Sequence, residues 1–181
     1  PKDMKTIDFL DKIIDAGVRV LKIEGRGRAP EYVKTVTQCY REAADAILNR
    51  TFGSHKTEEW NKRLSQVYNR GYWEGYYLGK TLPEWTNVYG SKATQKKTYS
   101  GKITNYFAKA GVAEIKMETG ELAVGDQYVI LGPTTGVLGG VLQEIRVDEK
   151  PVRKTIKGEV CSIPVSEIVR RSDKLYKITD R

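Results

Sequence analysis

Four charged side chains lie close together in the sequence at the end of a β-branched run: Lys22, Glu24, Arg26 and Arg28. Pro30 follows them, and proline suits the first turn of a helix. A strand, a short charged loop and a helix start, in that order, mark the place where α/β proteins position catalytic loop residues. We therefore predict Lys22, Glu24 and Arg26 as catalytic residues. A purely structural ion pair between Lys22 and Glu24 is the competing interpretation, because alternate residues of a strand share one face.

Helical periodicity flanks this loop on both sides. Apolar residues three and four positions apart predict a first helix over 3–16, which Gly17 would end in the left-handed conformation. The same spacing predicts a second helix over 30–48. A third helix is predicted over 58–68, with the Thr57 hydroxyl as its cap.

The β-branched run at 18–23 is predicted to be a strand of the parallel type. One such strand cannot satisfy its backbone edges alone, and no strand neighbour is evident before residue 98. We therefore expect residues 1–80 to be the end of an α/β barrel of the TIM type whose earlier strands are missing here. A homo-oligomer that covers the exposed face of the truncated barrel is a further expectation.

The segment 69–79 holds Gly71, Gly75 and Gly79 among aromatic side chains. Glycines four residues apart would form a smooth groove on a helix. The glycine-rich composition of this segment instead favours tight turns. Residues 81–97 mix proline, glycine, serine and lysine, which predicts a linker.

From residue 98 the sequence changes to short β runs separated by glycine, aspartate and proline. Such punctuation predicts a small six-stranded antiparallel β-barrel over 98–181, since closure removes exposed edges. The fold class is therefore α+β. The predicted strands are 99–107, 112–118, 127–131, 137–147, 160–164 and 174–178. The turn at 122–126, a strand and the turn at 132–136 resemble the second-domain barrel of elongation factor Tu and its relatives.

Composition restricts the classes of function. The formal charge is +8, from 31 Lys and Arg against 23 Asp and Glu. Basic and acidic residues are interleaved along the sequence. A charged, solvated surface is therefore a simpler explanation of the basic excess than nucleic-acid binding. No apolar run is long enough for a membrane span. The two cysteines, Cys39 and Cys161, are far apart in the sequence and do not form the pattern of a disulfide framework. We therefore expect a protein of the reducing cytoplasm.

Candidate chemistry of the peptidase type is sparse. The only histidine, His55, lies in a polar stretch without a nearby nucleophile pattern, and no HExxH motif occurs. A modest case for nucleic-acid binding comes from the basic residues around the charged loop and from the tyrosines of 69–79. Those aromatics are more often part of a core.

Several blocks of the first half resemble one family: KIEGR at 22–26, PEYV at 30–33, YR at 40–41, NRG at 69–71, GY at 75–76 and Gly79. Their order and spacing are similar to those of the collagenase-like peptidases, family U32 of unknown catalytic type. The resemblance implies a modified α/β-barrel followed by an accessory β-barrel. It adds Arg28, Tyr32, Arg41 and Arg70 as expected substrate-binding residues.

The same resemblance implies an iron–sulfur cluster in full-length relatives, held by four cysteines that lie mostly upstream of KIEGR. Those cysteines are absent here, so no cofactor is expected within this chain alone. In some relatives the last cysteine stands at the position of Val33. Cys39 is the expected replacement as a metal ligand, with a small buried core residue as the alternative.

Members of the family are labelled proteases, some collagenases, whereas others hydroxylate transfer RNA, ribosomal RNA or ubiquinone precursors. The resemblance therefore implies a parent protein that hydroxylates RNA bases, with the present chain inactive by itself. Genuine peptidase activity is one alternative, and a non-catalytic module that docks RNA or protein is another. The expected partners are RNA or protein, and no membrane.

Overall fold

The computed structural model describes every residue from Pro1 to Arg181. It contains two compact units, Pro1–Thr94 and Gln95–Arg181, and each has its own hydrophobic core. Helices in the first unit and a large antiparallel sheet in the second confirm the α+β class. None of the helices is both long and apolar enough to cross a lipid bilayer.

The first unit is mainly helical. Its elements are strand β1 (Asp3–Met4), a 3₁₀ turn (Ile7–Phe9), helix α1 (Leu10–Asp15), helix α2 (Pro30–Leu48), helix α3 (Ser54–Gln66) and strand β2 (Tyr72–Trp73). Strands β1 and β2 pair in parallel, with Asp3 opposite Tyr72.

Helix α2 confirms the prediction for residues 30–48. Pro30 occupies the first turn, and Ala29 before it is extended, with φ −72° and ψ 153°. One face of α2 is buried through Val36, Cys39 and Ala43. That face packs in a core with side chains from the 3₁₀ turn, α1 and α3: Ile7, Leu10, Trp60 and Leu64.

The other two helices differ from their predictions at the N-terminal end. Helix α1 starts at Leu10 because Asp3–Met4 is engaged in the ladder with β2. Helix α3 starts at Ser54, so Thr57 lies inside it, and its hydroxyl donates to the Ser54 carbonyl at 2.8 Å. The prediction of Thr57 as the cap was wrong.

The predicted strand at 18–23 is also wrong. These residues have no regular secondary structure, and Val20 is 83% exposed. A strand needs a backbone partner, and in this unit the only ladder is the two-residue pair β1–β2. The end of a TIM-type barrel is therefore not confirmed. Turns over 69–79 are borne out by positive φ at Gly71, Gly75 and Gly79, although Tyr72–Trp73 forms β2.

The second unit is built from ten strands: β3 (Gln95–Phe107), β4 (Val112–Met117), β5 (Glu121–Ala123), β6 (Gln127–Gly132), β7 (Gly136–Val141), β8 (Ile145–Val147), β9 (Lys150–Val152), β10 (Lys154–Ile156), β11 (Val160–Pro164) and β12 (Lys174–Asp180). Eight form one antiparallel sheet in the order β7-β6-β12-β3-β4-β11-β8-β9, and β5 pairs with β10. Alternate side chains such as Ile103, Ile115 and Leu175 fill the core.

The predicted number of six strands is too low, and a closed six-stranded barrel is not confirmed. The segment 137–147 is two strands, β7 and β8, and β5, β9 and β10 were missed. Each missed strand has three residues, which is too short for an alternating pattern to be recognised.

Candidate functional site

An open groove of about 780 Å³ in the first unit brings most of the predicted site residues together. Its wall includes Lys22, Glu24, Arg26, Arg28, Tyr32 and Arg70. The loop after α1, the start of α2 and the turn before β2 each supply part of the wall. Residues that are far apart in the sequence therefore face one cleft.

Asp3 organises the floor of this groove. The pairing of β1 with β2 places it beside Arg70, whose backbone N–H donates to Asp3 Oδ2 at 2.8 Å. Its Oδ1 accepts from Arg28 Nη2 at 2.7 Å and from Arg70 Nη2 at 3.2 Å. One carboxylate thus holds two guanidinium groups, and the side chains of Asp3 and Arg28 are only 11% and 15% exposed.

Arg28 is further fixed by two aromatic rings. Its guanidinium carbon lies 4.4 Å from the ring centroid of Tyr68 and 5.2 Å from that of Tyr32. Both distances are within the range of cation–π attraction. Arg28 is therefore immobilised by an ion pair and two rings, which makes it a fixed positive charge in the groove.

Two tyrosines of the groove, Tyr32 and Tyr40, stay protonated at neutral pH. Burial raises the pKa of Tyr32, and the nearby Arg28 only partly opposes this. Burial likewise raises the pKa of Tyr40, whose hydroxyl oxygen accepts from the Thr6 N–H at 2.9 Å. These side chains offer neutral hydroxyl groups and ring faces to a ligand.

Lys22, Glu24 and Arg26 line the mouth of the groove. Glu24 Oε1 accepts from the Arg26 N–H at 2.7 Å, so Glu24 closes the loop on itself, and the Arg26 side chain is 91% exposed. Lys22 and Glu24 form no ion pair, because there is no strand to align them on one face. Their catalytic role stays a prediction.

Two predicted residues lie outside the groove. Arg41 is on the exposed side of α2, where its guanidinium pairs with Asp45 one turn away. Cys39 is fully buried in the helical core, and this burial raises the pKa of its thiol to about 11. The substrate-binding role of Arg41 and the ligand role of Cys39 remain untested predictions.

The chain by itself does not fit an iron–sulfur cluster. Thiolates ligate such clusters, yet Cys39 and Cys161 lie in the cores of different units, and burial raises the pKa of the Cys161 thiol to about 11 as well. No three His, Cys, Asp or Glu residues come together in a group that suits a metal ion.

Sequence reasoning missed Asp3, Tyr40 and Tyr68 as residues of the groove. Asp3 reaches it through a two-residue parallel ladder, which leaves no recognisable pattern in the sequence. Tyr68 precedes the NRG block that carries the family likeness, so that block was the available signal. Asn69 of the block is buried and structural, since its side chain bonds the Gly71 N–H and the Val67 carbonyl.

Residues 1–87 match the model of Peptidase family U32. Over its whole length the chain is 54% identical to a Porphyromonas gingivalis protein named Collagenase and covers 50% of that protein. Residues 1–87 thus belong to Peptidase family U32. The chain spans about half the length of this curated relative.

Other relatives carry a different kind of name. A Bacillus subtilis relative, tRNA hydroxylation protein P1, is 30% identical over 135 residues, which are 74% of this chain and 31% of that protein. A crystal structure of the C-terminal domain of a Geobacillus thermoleovorans protein assigned to the U32 peptidases aligns with 44% of this chain and 90% of that chain, at 15% identity and a TM-score of 0.42.

Proposed function

We propose that this chain is part of a U32 protein that hydroxylates RNA bases, and that the groove of the first unit binds the RNA. The observation that carries the proposal is Arg28, which Asp3, Tyr32 and Tyr68 fix as a positive charge among ring faces. Proteins recognise single-stranded RNA by combining cations for the phosphates with aromatic rings for the bases. Relatives named for tRNA hydroxylation support this assignment.

The groove also has side chains that are accessible to a ligand. Lys22 and Arg26 are exposed at its mouth and suit phosphate contacts, whereas Tyr77, 60% exposed, suits a base. Arg70 Nε is buried without a hydrogen-bond partner, although a guanidinium donor normally has one. A phosphate or base oxygen at this place would satisfy that donor.

In this proposal the residues of the chain bind and orient the RNA. Hydroxylation adds an oxygen atom to a base, and an iron–sulfur cluster in the full-length protein would supply the redox chemistry through ligands outside the chain. The chain alone is then expected to bind RNA without modifying it.

Proteolysis is the second candidate function, because the relative that is 54% identical is named Collagenase. The groove weighs against it. No serine, cysteine or histidine lines the groove, and exposed His55 lies outside it at the start of α3. The nucleophile and base of a serine or cysteine peptidase would have to come from another part of the protein.

The test uses the full-length protein in a host strain whose own gene is deleted. Transfer RNA is digested to nucleosides, and mass spectrometry measures the nucleosides that gain one oxygen atom. The wild-type gene should restore them, the Lys22→Gln variant should restore fewer, and the Lys62→Gln variant should match wild type because exposed Lys62 lies on α3 outside the groove. Collagen cleavage by purified protein together with unchanged nucleosides would reverse the choice between the two functions.

A further inference from the structure

Three lysines lie side by side across the middle of the large sheet in the second unit. Lys102 on β3 is directly opposite Lys174 on β12 and directly opposite Lys116 on β4. We call these three residues the lysine row. Residues opposite each other in adjacent strands point to the same face, and neighbouring strands are about 4.8 Å apart.

The lysine row is on the outer face of the sheet. The chain neighbours Ile103, Ile115 and Leu175 point the other way and are fully buried in the core. Like charges directly opposite each other destabilise a sheet. The row therefore lowers the stability of the sheet. Solubility alone would not require three lysines to lie directly opposite one another.

The protein's own acceptor groups neutralise the charges of the lysine row only in part. Glu118 pairs with Lys102 at 2.8 Å, and Lys116 Nζ donates to the Gly158 carbonyl at 2.5 Å. Lys174 is exposed and makes no ion pair. One carboxylate thus faces three ammonium groups.

Protection of a sheet edge does not explain the row. Lysines often block edge strands from pairing with other chains. Strands β12, β3 and β4, however, are the third, fourth and fifth of eight in the sheet and are paired on both sides. A linear anion is the partner that fits three cations in a line.

Two tyrosines border the row on the same face. Tyr176 is opposite Tyr99, and their ring centroids are 5.6 Å apart at 68°. The Lys97 ammonium lies 5.1 Å from the Tyr176 ring centroid. Lysines beside ring faces are the combination that binds single-stranded nucleic acid without sequence preference.

We propose that the lysine row and the Tyr99–Tyr176 pair form a second RNA-binding surface, which contacts the phosphates and bases of a single strand. This proposal rests on the proposed function for the identity of the polyanion. It concerns a different unit and different residues from the groove, so the two can fail separately.

The test measures binding of a short fluorescent oligouridylate to the 181-residue chain by anisotropy over a range of salt concentrations. The variant is Lys116→Gln/Lys174→Gln, which leaves the Lys102–Glu118 pair in place. With a salt slope of about 0.7 per phosphate contact of a single strand, losing two contacts should reduce affinity about 25-fold at about 0.1 M salt. The slope itself should fall by about 1.4.

The matched control is Lys109→Gln/Lys150→Gln, which removes two exposed charges elsewhere in the same unit and should keep both affinity and slope near wild type. Equal effects of the two double variants would overturn the proposal, since the loss would then reflect net charge alone. Equal binding of polyglutamate and oligouridylate by wild type would also overturn it in favour of an acidic protein partner. If RNA binding depends on the lysine row but the full-length protein hydroxylates no RNA, the proposed function is wrong and the second RNA-binding surface is still supported.

Discussion

The two units arrange their cations in opposite ways. In the groove of the first unit, Asp3 holds Arg28 and Arg70 with three short contacts, and two rings enclose Arg28. In the lysine row of the second unit, one carboxylate faces three ammonium groups. The first arrangement builds a fixed site at the centre of its own structure. The second leaves charge for a partner to neutralise.

The largest effect is expected at the centre of the groove. Asp3→Ala removes the shared carboxylate and leaves Arg28, which is 15% exposed, without its partner. Loss of one partner from a buried ion pair costs about 3–5 kcal/mol, so the variant should unfold at much lower urea concentration. Urea unfolding, followed by the fluorescence of the first unit's tryptophans, measures this.

Asp45→Ala is the matched control for Asp3→Ala. It also removes the carboxylate partner of an arginine, but the pair with Arg41 is exposed on α2 and contributes little. If both variants shift the urea midpoint equally, the groove is no more pre-organised than the surface, and the contrast between the units disappears.

A smaller effect is expected where the sheet beneath the lysine row is tightest. A Cβ added at Gly101 would lie 2.2 Å from the Lys116 carbonyl oxygen, so β3 and β4 would have to separate. Overpacking of this kind costs about 1–3 kcal/mol. Gly101→Ala should therefore lower the urea midpoint and weaken RNA binding together, because it disturbs the register that places Lys102 beside Lys116.

Gly139→Ala is the control in the same sheet, since its added Cβ would meet only the Tyr128 carbonyl oxygen at an ordinary 3.4 Å. Its unfolding should stay close to wild type. Normal RNA binding by a destabilised Gly101→Ala variant would show that the lysine register is not needed.

The two cysteine thiols test whether both cores exclude charge. Burial raises the pKa of Cys39 and of Cys161 from 9 to about 11. Unfolded chains release these protons near pH 9, whereas the folded protein holds them until about pH 11. The unfolded state thus binds fewer protons in this window, so the thiols' contribution to stability is full below pH 9 and is lost as pH rises towards 11.

The measurement is the urea midpoint at pH 8 and pH 10.5 for wild type and for the Cys39→Ala/Cys161→Ala variant. Since tyrosines and lysines titrate in both proteins, the difference between the two pH slopes isolates the thiols. We expect the shallower slope for the variant. Identical slopes would mean that the thiols are already ionised or exposed in the folded state.

Sequence reasoning succeeded where a pattern extends over many residues and failed where geometry depends on distant partners. Helix α2 was predicted at both ends, because Pro30 and a long apolar stripe fix it locally. The run at 18–23 has strand-forming residues but no partner in this chain, and propensity alone cannot supply a ladder.

The candidate sites follow the same rule. The charged loop was recognised, and the structure places its residues in one groove with Arg70. Asp3 was missed, because only the pairing of β1 with β2 brings it to the groove. In that pairing Asp3 is opposite Tyr72, which lies 69 positions later in the sequence. The lysine row was missed because it is a property of register, which places residues 102, 116 and 174 side by side across three strands.

The smallest expected effect concerns the cost of the row itself. Lys174→Gln removes one of two directly opposed like charges, so the chain should become slightly more stable, by a few tenths of a kcal/mol at low salt. The gain should vanish at high salt, where charge repulsion is screened. RNA affinity should fall in the same variant, because we expect Lys174 to be retained for binding although it lowers the stability of the fold. A loss of stability on Lys174→Gln would instead show that Lys174 supports the fold, and the difference between the two units would then be one of degree only.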